Sequence, residues 1–141
     1  MISHVWTVIC SRSVIDEASK NISLMDIVEQ VTISAESAKQ KETLLPMPFE
    51  VVTLWAKEAA TGKSETEARL RLLSPEGKEI HHQIYRVDLH EHPRMRTRIR
   101  VPGLPFVGAG TYKFCVDLRR QDGETWREVA HIPLQIQIDA P

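Results

Sequence analysis

From Gly108 to Leu118 the chain reads Gly-Ala-Gly-Thr-Tyr-Lys-Phe-Cys-Val-Asp-Leu, a glycine-rich bend that runs straight into alternation of period two. Tyr112, Phe114, Val116 and Leu118 share one parity, and Lys113, Cys115, Asp117 and Arg119 the other. Successive side chains of a strand point to opposite faces, so this segment buries one side and shows the other. A turn at Gln121-Asp122-Gly123-Glu124 and a second run to Ile138 complete a long hairpin. A hairpin of this kind commits the chain to a layered β architecture and says nothing about chemistry.

The rest of the chain repeats the pattern. Residues 2–11, 22–33, 49–57, 65–73, 79–89 and 95–101 read as strands, which with the final pair makes about eight. The first has apolar residues on both parities and belongs in a covered position. In 22–33 the apolar positions fall out of register across Asp26, which predicts a bulge or jog there. Residues 35–42 have helical composition without an apolar stripe and predict a frayed helical turn. Thr61-Gly62-Lys63-Ser64 turns the chain, and Ser74-Pro75-Glu76-Gly77 has the proline and glycine of a type I turn. Pro133 interrupts the last strand and predicts an edge or bulge. Short strands, regular turns and no long helix predict an all-β antiparallel sandwich of two sheets, one domain over residues 1–141.

Composition excludes several function classes. A net charge of −1 removes any global attraction to nucleic acid or to an anionic membrane, although a local patch fits within a balanced total. The longest apolar run is far short of a membrane span. The start, Met1-Ile2-Ser3-His4, has no basic region and too short an apolar stretch for an export signal. A cytoplasmic protein with two reduced thiols, Cys10 and Cys115, is therefore expected.

Residues 8–13, Asn21-Ile22-Ser23-Leu24 through Glu29, and residues 51–55, 72–77 and 103–116 together resemble a bacterial family of small single-domain β-sandwich proteins, a domain of unknown function. The resemblance spans nearly the whole chain. It implies an immunoglobulin-like or C2-like sandwich and brings no catalytic residue with it. C2-type calcium binding gains nothing from it, because Asp16, Asp26 and Asp122 stand alone and calcium needs several converging oxygens.

Two constellations carry chemistry. Arg94, Arg96, Arg98 and Arg100 alternate with Met95, Thr97, Ile99 and Val101, one row of guanidiniums over one core-facing row. Arg69 and Arg71 make a shorter copy. Guanidinium forks suit carboxylates and phosphates, which makes the row a candidate partner-binding surface. The simpler reading is a solvated sheet face on which Glu65, Glu67, Glu79 and Asp88 pair with the arginines across the ladder. The second constellation is Asp88, His90 and His92, which share a face about 7 Å apart from one to the next and could ligate a metal ion. Its simpler reading is the polar end of a strand before Pro93.

No nucleophile elbow, phosphate-binding glycine loop or dinucleotide fingerprint occurs. The leading expectation is thus a non-enzymatic interaction module without a cofactor. It would use an exposed sheet face or edge for a protein partner or for self-association, and neither nucleic acid nor membrane. The alternative is a small-molecule or metal-binding module, with hydrolytic activity, at the Asp88, His90 and His92 end.

Overall fold

The computed structural model describes residues 2–39, 44–45, 47–57, 65–90, 92–120 and 123–139, and among these the chain forms eleven strands and one turn of helix. In chain order they are β1 (Ile2–Ile15), β2 (Ile22–Ile27), β3 (Gln30–Ile33), α1 (Ala35–Ala38), β4 (Leu44–Leu45), β5 (Phe49–Lys57), β6 (Glu65–Leu73), β7 (Glu79–Asp88), β8 (Arg94–Val101), β9 (Leu104–Pro105), β10 (Gly110–Arg119) and β11 (Arg127–Ile138). The fold is all-β. One sheet has the order β2-β1-β5-β8, a second the order β3-β11-β10-β6-β7, and β4 and β9 form a separate ribbon. Every pairing is antiparallel except that of β3 with β11.

Alternation decides which face of each strand is buried. On β6 the buried residues are Thr66, Ala68, Leu70 and Leu72, and on β10 the row Tyr112, Phe114, Val116 and Leu118 faces inward. These meet Phe49, Val51 and Trp55 of β5 in one hydrophobic cluster drawn from both sheets. Phe49 and Phe114 touch across the gap edge to face, ring centroids 5.7 Å apart at 80°. Such pairs add to the area term of burial. The Trp55 indole donates to Thr97 Oγ1 at 3.0 Å, so its one polar atom is satisfied inside the core. At the start of β10 the Tyr112 hydroxyl accepts from the Val107 N–H at 2.8 Å and donates to the Gly108 carbonyl at 2.7 Å.

Several expectations need correction. Residues 22–33 are not one strand with a jog. Asp26 adopts a left-handed φ of 51°, and the chain then leaves its sheet. The Val28 N–H bonds to Ile9 in the four-stranded sheet, whereas the very next residue, Glu29, accepts from Gln135 in the five-stranded one. The strand count rises from eight to eleven through that split and through the short β4 and β9. Trp6 is only half-buried: past the register shift that follows His4 it pairs with Leu54, on the face opposite Ile9. β1 runs on to Ile15, beyond the expected end at Ser11.

Pro133 lies two residues before β3 begins pairing at Gln135, where β11 has a neighbour on one side only. Cys10 and Cys115 are both buried free thiols. The turn expected at Thr61–Ser64, the end of the helical stretch (40–42) and residues 121–122 lie outside the described residues. No helix among the described residues is long and apolar enough to cross a membrane.

Candidate functional site

The arginine row lies on β8, the edge strand of the four-stranded sheet, with β5 as its one ladder neighbour among the described residues. Register sets Arg94 beside Ala56, Arg96 beside Leu54, Arg98 beside Val52 and Arg100 beside Glu50. β5 is buried on both faces, so three of the four arginines sit next to an apolar residue rather than an acid. The cross-strand pairing with Glu65, Glu67, Glu79 and Asp88 does not form, because β6 and β7 belong to the other sheet. Those acids are engaged there: Glu65 with Arg86, Glu67 with Arg119, Glu79 with His82, and Asp88 with the His90 N–H.

What holds the arginines is mostly neutral. Arg96 Nη2 donates to the Lys20 carbonyl at 2.6 Å, and Arg98 Nη1 to Ser13 Oγ at 3.3 Å. Ser13 in turn donates to the Glu50 carboxylate, which is buried and lies 3.7 Å from Arg100. Among the described residues Arg94, Arg96 and Arg98 have no carboxylate at ion-pair distance, and the Arg94 guanidinium makes no hydrogen bond to a described residue either. Ser13 and Lys20 belong to the β1–β2 hairpin, which is separated from β8 by β5. Their contacts require the sheet to curl so that the hairpin leans over its outer face. The curl fixes two guanidiniums through their polar tips while leaving their charge uncompensated.

The shorter arginine pair has the opposite character. Arg69 and Arg71 converge on Asp117, at 2.8 and 2.6 Å, and Asp117 is 1% exposed. Trp126 packs against the guanidiniums of Arg69 and Arg119, 4.5 and 4.2 Å from its ring centroid. Burial, with Glu128 alongside, pushes the Cys115 thiol up to about 11, so it is neutral and unreactive at physiological pH. This face is neutralised and closed.

Asp88 closes β7, His90 and His92 follow it, and all three lie at the surface around the buried Leu89. The Asp88 carboxylate accepts from the His90 backbone N–H at 2.9 Å, which shapes the turn. Among the described residues no three or more His, Cys, Asp or Glu side chains come together as a metal site would need, and Glu91 lies outside those residues. A separate open groove of about 390 Å³ lies between β1–β2 and β10–β11, lined by Val8, Ile9, Ile27 and Pro133 among others. Glu29 is the one ionisable group among its lining residues, and no His, Cys or Lys lines it beside the Thr7 and Thr111 hydroxyls.

Sequence reading missed Ser13, Lys20 and Glu50. For Glu50 a signal existed: an acid inside a strand apolar on both parities must be buried against a cation or a hydroxyl. Lys20 acts through its backbone, which no side-chain pattern reports. No protein-family model matches this chain, and no curated protein matches it either.

Proposed function

We propose that this protein is a non-enzymatic interaction module, an immunoglobulin-like or C2-like β-sandwich that binds an acidic protein partner through the arginine row of β8. The observation that carries this reading is the row's imbalance: among the described residues, four guanidiniums on one edge strand face a single carboxylate, Glu50. Uncompensated like charges raise the local potential and disfavour the free state, and an acidic surface relieves both. The tethering of Arg96 and Arg98 lowers the side-chain ordering that binding requires.

The immunoglobulin-like assignment is supported by strand arrangement. The order β11-β10-β6-β7 corresponds to the G-F-C-C′ sheet of such domains, and β1-β5-β8 to A-B-E. The bond from the Tyr112 hydroxyl back to Gly108, near the start of β10, supports the same assignment, because the corner tyrosine of such domains makes a bond of this kind. Membership in the bacterial family it resembles, and a cytoplasmic setting, complete the proposal.

Titrating isotope-labelled protein with a short poly-glutamate peptide tests it. Amide shifts should map to β8 and weaken as salt rises from low to physiological strength. Arg94→Glu combined with Arg98→Gln, which keeps a donor for Ser13, should reduce affinity by about fivefold or more. The same change should alter stability by less than about 0.5 kcal/mol, as exposed substitutions do. Binding that maps elsewhere, or that ignores the double variant, would reject the arginine row as the site.

A further inference from the structure

The edge position of β8 says more than its charge. On the central strand β5, the inward residues Val51 and Trp55 are completely covered, whereas their β8 neighbours Ile99 and Met95 are only partly buried, as is Val101. Among the described residues no backbone hydrogen bond joins β8 to any strand but β5. In an immunoglobulin-like arrangement with A-B-E-D order, the place beside E is filled by strand D. Here only residues 89–93 separate β7 from β8, too few to supply another strand, and no described strand takes the position.

We infer that β8 takes up an extended acidic segment of a partner protein as an additional strand, with acids alternating with apolar residues. Resting on the acidic-partner reading above, this specifies how the partner is held. Arginines at every second residue are about 7 Å apart, which is also the spacing of same-face residues on an added strand. Carboxylates on the outer face of that strand would stand opposite Arg94, Arg96, Arg98 and Arg100. Apolar residues on its inner face would extend cover over Met95, Ile99 and Val101, and main-chain bonds would satisfy the open edge.

A second copy of this chain is a poor occupant. β8 against β8 would oppose two arginine rows, and like charges directly across a ladder repel. The other edge strands of the two larger sheets, β2, β3 and β7, have no alternating row of acids to offer, and β4 and β9 hold no acid at all.

The probe is a seven-residue peptide alternating Glu and Val, capped at both ends. It is compared with a peptide of the same composition whose four glutamates are contiguous, and with two forms N-methylated at alternate residues along one edge or the other. The alternating peptide should bind at least about tenfold more tightly than the block peptide, since only it places acids and apolar residues on opposite faces. One N-methylated form should lose binding and the other retain it, because an added strand bonds through one edge only. Alternate amides of β8 should become protected from hydrogen exchange. If block and alternating peptides bind alike, N-methylation has no effect, and Arg94→Glu with Arg98→Gln still weakens both, strand addition is wrong and the acidic-surface reading stands. If no acidic peptide binds, or the double variant changes nothing, both fall. If protection of β8 grows with protein concentration alone, a second copy occupies the edge and the inference is overturned.

Discussion

Phe114 is 1% exposed and meets Phe49 across the gap between the sheets. Removing its ring leaves a cavity that neither sheet can close, so Phe114→Ala should cost about 3–5 kcal/mol, read from urea unfolding. Asp117 is the other residue on which much depends. Asp117→Ala would strand two guanidiniums over a buried gap, a loss near the lower end of about 3–5 kcal/mol because both arginines can partly rehydrate. Neutralising Arg94 removes no such contact, and the contrast between the two faces should appear directly in their unfolding curves. Titration acts at this scale too. Burial pushes Cys115 up to about 11 from 9.0 and Tyr85 up to about 12 from 10.0. Between the unfolded and folded values the native state keeps its proton while the unfolded chain has lost it. Stability from these two groups is therefore full below about pH 9 and falls as pH rises towards 12. Thermal melts across pH 8–11 should show a plateau followed by a steady decline.

At the scale of elements, backbone constraint separates turns that look alike in sequence. A Cβ on Gly110, whose φ is 141°, would stand 2.8 Å from Pro75 Cβ, whereas one on Gly77, at φ 86°, would meet nothing within 4 Å. Gly110→Ala should accordingly destabilise more than Gly77→Ala, by at least about 1 kcal/mol, in parallel chemical denaturation. The same scale shows where sequence reading succeeds. β6 alternates strictly, β5 is a largely apolar run, the flanking breaks are clear, and both strands fall at the residues expected. Residues 22–33 defeated it because hydrophobic periodicity reports burial and does not report which sheet provides it. Neither could it give strand order, and the character of the arginine row depends on that order. Glu65 and Glu67 have suitable parity for pairing with β8 and lie in a different sheet. A charge row reads the same whether it is paired or free, and the neighbouring strand decides.

For the whole molecule, the crossing at Val28 and Glu29 ties early residues to late ones. β3 pairs in parallel with β11, so Gln30 waits for Gln135, and β11 also completes the flank of β10. Contacts of such long separation make closure slow, since the intervening loop entropy is lost before the contacts form. Refolding on the millisecond-to-second scale is expected in stopped-flow fluorescence, with Trp55 reporting the closing of the core. Synthesis by the ribosome gives the same feature a temporal meaning. A nascent chain that has emerged only as far as Arg120 has β5, β6 and β10 in hand and lacks the strand that joins its beginning to its end. Such a chain would remain open to proteolysis until β11 has emerged, so that closure of the fold waits on the synthesis of that strand.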